Sequence, residues 1–264
     1  LLSVVTANTE LVLVRNAVTV TPFSARAALP ASLPERRYNG SSFLDSLISD
    51  LKTILMQIDP AQQSVANNYK LLTNLVMPRP IAWVTTKNTE GKINLAPFSF
   101  FNAVGSDPIY LVVSIGVNDA GGPKDTLVNI RAGGEFVVNL VTEDLFEAMN
   151  ISAADFPPDQ SELDAAGLEA APSVHVKVPR VARAQASLEC RLHDTVALGV
   201  NTLVIGRVVM FHVADQLIGP RLHVNGFAPL GRMGSPSVYC RTTDRFDVAR
   251  ISYAQWREGQ PEKD

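Results

Sequence analysis

Between Ile81 and Ala214 the sequence is dominated by runs of β-branched and aromatic residues: "IAWVTTK", "IYLVVSIG", "EFVVNLV", "ARAQASLECRLHDTVAL" (from Ala182) and "NTLVIGRVVMFHVA". Such runs fit a pleated sheet better than a helix. Turn residues separate them: Glu90-Gly91, Ser106-Asp107-Pro108, Gly121-Gly122-Pro123, Gly133-Gly134 and Gly199. The longer runs alternate imperfectly between apolar and polar positions, which suits a closed or nearly closed β-barrel with one filled interior. A mainly β fold with peripheral helices is therefore expected. One helix is predicted over "SVANNYKLLTNLV", stopping before Pro78 and Pro80. A second is predicted from Pro123 or Lys124 to Gly133-Gly134. A third is predicted over "TEDLFEAMNIS", with Thr142 as its cap. Residues 142–169 hold eight acids and neither Lys nor Arg, the pattern of a solvated excursion over the barrel or of a lid above a ligand.

The chain's 264 residues suffice for one large domain or two small ones, and 46% hydrophobic content supplies a sizeable core. A formal net charge of −3 argues against nucleic-acid binding by bulk charge. No apolar run approaches the ~18 residues that span a bilayer. Two cysteines, Cys190 and Cys240, give neither a disulfide framework nor a CxxC metal site, and a cytoplasmic location is the default.

Residues 1–55 read as an N-terminal extension and residues 56–264 as the main domain. The Ala-, Val- and Thr-rich stretch 1–34, with Arg15 and Arg26, superficially matches an organellar transit segment. The simpler reading is an upstream extension, with Met56 opening "MQIDP" as a natural start. Within it, "SSFLDSLISDLKTILM" (41–56) has the apolar spacing of an amphipathic helix, with Ser42 and Asp45 as a capping pair.

Three segments carry chemistry. In "GGPKDTLVNI" (121–130) two glycines allow close backbone approach, Pro123 presets a helical turn, and Lys124 and Thr126 add a cation and a hydroxyl at a helix start. That combination makes a phosphate site, although plain helix capping explains it equally well. It is neither a Walker loop nor a GxGxxG fingerprint. In "NLAPFSFFNAVGSDP" (94–108) Asn94, Ser99 and Asn102 alternate with Pro97, Phe98, Phe100 and Phe101, giving apolar walls and polar edges to a flat heteroaromatic ring, or else a buried Phe cluster. In "PRPIAWVTT" the hydroxyls of Thr85 and Thr86 end a strand, and Arg79 is held between two prolines, available to a phosphate, a dinucleotide or a protein carboxylate. The four histidines lack HxH or HExxH spacing, so no metal site is expected. His212 is the histidine best placed to meet a nicotinamide or substrate.

In order and spacing, "NYKLLTNLVMPRPIAWVTT", "INLAPFSFFNAVGSDP", "GGPKDTLVNI", "GEFVVNLV", "SAADFPP", "SLECRL", "NTLVIGRVV" and "PLGRMG" resemble the flavin-reductase-like family of FMN-binding split-barrel proteins, over roughly residues 56–250. The resemblance implies a six-stranded antiparallel split barrel, a homodimer, and FMN bound near the subunit interface. It implies FMN contacts from Thr85 and Thr86, from Asn94, Ala96, Ser99 and Phe101, and from Lys124 and Thr126, with Asp125 fixing the loop backbone. Ser114 on the next strand, Asn129 one turn into the helix, and Arg232 in "PLGRMG" are further candidates. The activity implied is hydride transfer from NADH or NADPH through FMN, to free flavin or to a monooxygenase partner. A non-catalytic FMN carrier, or an FMN enzyme with its own small organic substrate, remain the alternatives. The arrangement requires Lys124, Thr85 and Ser99 to share one hollow.

Overall fold

A computed structural model describes residues 56–157, 160–234 and 236–258. The predicted amphipathic helix at 41–56 falls almost wholly outside the described residues. From Asp59 onward the chain forms one compact unit. Its strands, in chain order, are β1 (Arg79–Pro80), β2 (Ala82–Lys87), β3 (Ile93–Phe98), β4 (Phe101–Ser106), β5 (Ile109–Ile115), β6 (Glu135–Leu140), β7 (Ala170–Ala171), β8 (Arg180–Val181), β9 (Ala186–Leu198), β10 (Asn201–Val213), β11 (Gly231–Arg232) and β12 (Tyr239–Cys240). The helices are α1 (Val65–Leu75), α2 (Asp125–Gly133), α3 (Phe146–Ile151), α4 (Glu162–Ala165) and α5 (Tyr253–Glu258).

Seven strands make one sheet in the order β3-β2-β6-β9-β10-β5-β4, every neighbouring pair antiparallel. The edge strands β3 and β4 are consecutive in the chain, with only Ser99 and Phe100 between them. The curled sheet is therefore joined at its open side by a bend of the chain rather than by a ladder, and this is what splits the barrel. The Ser114 amide anchors the bend by donating to the Phe100 carbonyl at 2.8 Å. The main sheet has seven strands where the resemblance implied a six-stranded barrel.

Alternation along β2 sends Ala82 and Val84 inward and Trp83 and Thr85 outward, and both faces are buried. The interior is filled by Leu111, Val113, Ile115, Phe136, Val138, Cys190 and Val204, plugged by Leu127 and Ile130 of α2. Burial pushes the Cys190 thiol well above its ordinary pKa, so it behaves as a small apolar residue. On the outer face Trp83 and Leu95 are covered by Leu145, Met149, Leu163 and Leu168. The acidic excursion is thus an amphipathic cover: its acids Glu143, Asp144, Glu147, Asp155 and Asp164 stay exposed while its leucines complete a second core.

Ser64 caps α1, accepting from the Asn67 amide at 3.1 Å, and Gly134 ends α2 in the left-handed region at φ 68°. Thr142 does not cap the third helix as expected. Its hydroxyl donates instead to Asp144 Oδ1 at 2.6 Å, and the segment opens as a 3₁₀ turn before α3.

Candidate functional site

The N-terminus of α2, the edge strand β3 and the loop after α3 enclose a cleft of about 330 Å³. Lys124 is the N-cap of α2, and no side chain caps the helix, so its first amides carry the positive end of the dipole without a side-chain acceptor. The preceding loop is held by Asn118. Its Oδ1 accepts from the amides of Ala120 at 3.1 Å and Gly122 at 2.8 Å. The opposite wall is Ala96, Pro97 and Phe98 of β3, with Phe156 contributed by the loop after α3. Pro97 is tolerated because β3 is an edge strand. The Leu95 amide, two residues earlier in the same orientation, points away from the ladder to Glu162.

Behind the cleft lies a polar tie between strand and helix. The Asn94 side chain accepts from Thr126 Oγ1 at 3.0 Å and donates to Glu162 Oε1 at 3.2 Å. Glu162 Oε2 accepts from the Leu95 amide at 3.1 Å. Burial pushes the Glu162 carboxyl above its ordinary value, with backbone hydrogen bonds opposing the rise and Asp125 reinforcing it. One turn further along α2, Asn129 donates to Thr86 Oγ1 at 3.1 Å, so helix and barrel are pinned twice. At the cleft mouth Lys124 Nζ meets Asp155 Oδ1 at 3.0 Å. This contact holds the Asp155 carboxyl below the usual range against its slight burial.

Of the residues expected at the site, Asn94, Ala96, Lys124, Asp125 and Thr126 line this cleft. Asn129 lines an adjoining hollow of about 230 Å³ that shares Asn94, Asp125 and Glu162, and Thr86 reaches it only through Asn129. The others lie outside this cleft. Thr85 faces away, donating to the Pro179 carbonyl at 2.7 Å, because adjacent residues on a strand point to opposite faces. Ser99 accepts from Arg79 Nε at 3.4 Å, outside the cleft. Thr85 and Ser99 are thus not among the described residues that line the cleft with Lys124, whose walls include Asn94 and Ala96.

Arg79 is engaged by the backbone. Its guanidinium donates to the carbonyls of Thr73 (2.6 Å), Val76 (2.7 Å) and Met233 (2.7 Å), and burial pulls its pKa below the usual value. Phe101 packs against the interior core, and Ser114 accepts from Asn201 Nδ2 at 3.1 Å on the opposite face of β5 from the core residues. Arg232 stacks on Tyr239 at 4.6 Å and donates to its hydroxyl. Asp125 makes no hydrogen bond to the loop; Asn118 performs that task. His212 Nε2 lies 2.5 Å from the fully buried Glu189, which also accepts from the amides of Val174, His175 and Val176. Burial raises the Glu189 carboxyl, and these amides and His212 more than offset it, leaving it below its ordinary value. His212 thus belongs to a structural cluster under the 174–176 turn. Among the described residues no cluster of His, Cys, Asp or Glu could hold a metal ion, and no helix is long and apolar enough to cross a membrane.

Residues 74–245 match the model of the flavin reductase like domain. The chain belongs to the flavin-reductase-like family. An uncharacterized protein of Deinococcus radiodurans is 43% identical over 198 residues, covering 72% of this chain and 87% of its own. Nitrilotriacetate monooxygenase component B from Bacillus cereus superposes with a TM-score of 0.71 at 36% identity, over 75% of this chain and 100% of that one. The 2-nitrobenzoate 2-nitroreductase NbaA of Pseudomonas fluorescens gives 0.69 at 37% identity, over 75% and 98%.

The family implies a flavin cofactor, and the donors at the cleft fit one. An uncapped nine-residue helix with a lysine at its cap suits an anionic tail, and the apolar wall Ala96–Phe98 suits a planar ring. Asn118, Asp155 and Glu162 complete the site and were not singled out from the sequence. Asn118 lies in a "VNDAGG" stretch of ordinary turn composition, and Asp155 and Glu162 lie in a run of acids that reads as solvated surface. Only the fold of the excursion separates these two from their neighbours.

Proposed function

We propose that this chain is an FMN-dependent NAD(P)H oxidoreductase of the flavin reductase type. The observation that carries the reading is the meeting of an uncapped α2 N-terminus and Lys124 with the apolar edge of β3, in a chain of this family. Lys124 and the first amides of α2 hold the phosphate. Asn94 and Thr126, bonded to each other, fix the distance between helix and strand. Ala96, Pro97 and Phe98 support one face of the ring and exclude water from it. Bound FMN supplies the two-electron chemistry by which a nicotinamide hydride is accepted and passed on. No side-chain acid is required for that transfer, and the chain's contribution is position and electrostatics.

The similarity to a nitrilotriacetate monooxygenase component supports release of reduced flavin to a monooxygenase partner. The similarity to NbaA, at nearly the same identity, supports a second reading in which a small nitroaromatic is reduced at the site itself. We further propose a homodimer. In its support, α1 turns Val65, Tyr69, Leu72 and Leu75 to the surface of the single chain.

The test is spectroscopic. The protein loaded with FMN is mixed anaerobically with NADH or NADPH, and loss of the flavin absorbance is followed. Rapid bleaching is expected, followed by catalytic bleaching of free flavin added in excess of the protein while NADH or NADPH remains. Bleaching reversed only by a nitroaromatic favours the second reading. Colour that persists with both nucleotides overturns the reductase reading and leaves a carrier.

A further inference from the structure

Among the described residues lining the cleft, Lys124 is the only base, against the carboxyls of Asp119, Asp125, Asp155 and Glu162. Its ammonium is also the group on which an anionic ligand most depends, and it is shared with Asp155 at 3.0 Å. The position of Asp155 is set from the core. Ser152, at the start of the same loop, is buried, accepts from the Trp83 indole at 2.8 Å and donates to the Met149 carbonyl at 2.8 Å. The loop is thereby anchored three residues before Asp155, which is carried across the cleft mouth to the helix cap. The pair is half exposed, with 32% of the Lys124 side chain and 44% of the Asp155 side chain accessible. An incoming phosphate can therefore approach the ammonium directly.

We propose that Asp155 is a built-in competitor for the flavin phosphate, which weakens the grip of Lys124 on FMN and makes the flavin an exchanging ligand rather than a fixed prosthetic group. A phosphate at the α2 N-terminus must take the ammonium from Asp155 and lie near that carboxylate. Riboflavin has no phosphate and leaves the pair as it is. Asp155 thus lowers affinity selectively for the phosphorylated flavin, as a reductase that hands reduced flavin to a partner requires. The inference rests on the FMN reading above.

The experiment measures equilibrium affinity and off-rate of FMN and of riboflavin, by quenching of flavin fluorescence, for the full chain and for Asp155→Asn. Asp155→Ser is included as a second variant with a different side-chain volume. Both variants are expected to bind FMN about three- to tenfold more tightly, mostly through a slower off-rate, with riboflavin affinity unchanged. The gain should shrink in 0.5 M NaCl, because the pair is exposed enough to be screened. Adding Lys124→Ala should reduce it further. An equal change for both flavins would mean that Asp155 only positions the loop, and it overturns the proposal, as does no change at all. Failure of the unmodified chain to bind FMN, by contrast, removes the FMN reading itself and the proposal with it.

Discussion

Glu162 is a carboxyl held among backbone and amide donors between β3 and α4, pushed by burial above the range of an exposed glutamate. A carboxyl with a higher pKa folded than unfolded binds its proton more tightly in the native state. Its contribution to stability is then complete below the ordinary glutamate value of about 4.3 and fades as pH rises through the raised value. Glu162→Gln removes that dependence. Melting temperatures of the two proteins should nearly coincide near pH 4 and separate toward neutral pH, the variant melting higher. A constant difference across that range would show that the carboxyl does not titrate there. A protonated Glu162 also removes one negative charge beside the site proposed for phosphate.

At the level of elements, two side chains do work that no single segment reveals. Arg79 ties the C-terminal end of α1, through the carbonyls of Thr73 and Val76, to the chain at Met233. Arg79→Met leaves those acceptors without a donor and should cost about 2–4 kcal/mol in chemical denaturation. FMN affinity of the folded protein should not change, since Arg79 lies outside the cleft. The long β9–β10 hairpin carries an irregularity between Ile205 and Gly206, and there Phe136 packs against the bare backbone. A Cβ at Gly206 would come within 2.4 Å of Phe136 Cζ. The ring is fully buried, so Gly206→Ala should cost about 1–3 kcal/mol. Combining it with Phe136→Leu should recover part of that loss, a coupling measurable in a double-mutant cycle.

For the whole molecule, the described residues lining the cleft all lie between Asn94 and Glu162. Removing residues 1–40 should therefore leave FMN affinity within about twofold of the full chain's. A larger loss, read by the same fluorescence titration, would give the N-terminal extension a part in the site. The strands and α1 and α2 were legible because β-branched runs, Ser64, Gly134 and the prolines act locally on the backbone. The helix-cap half of the site was legible for the same reason: Lys124 and Thr126 sit at a helix start that the sequence itself marks. Thr85, Ser99, Ser114 and Arg232 do not line the cleft, because a motif names residues but not the faces they point to. On β2, one step in register separates Thr86, bonded to Asn129, from Thr85, sealed under Pro179.

What the sequence alone determined was the alternation that makes a barrel, the punctuation that ends its helices, and the ordered motifs that identify the family. These are near-neighbour properties, set by sterics and burial within a few residues. Which carboxylate meets Lys124, which buried arginine is spent on backbone carbonyls, and which acid is drawn inside were decided only by the tertiary structure. Lys124 and Asp155, Arg79 and Met233, and Leu95 and Glu162 lie about 30 to 150 residues apart in the chain. Charges so far apart in sequence interact only when the fold brings them within a few ångströms, where the Coulomb energy becomes large enough to choose between them.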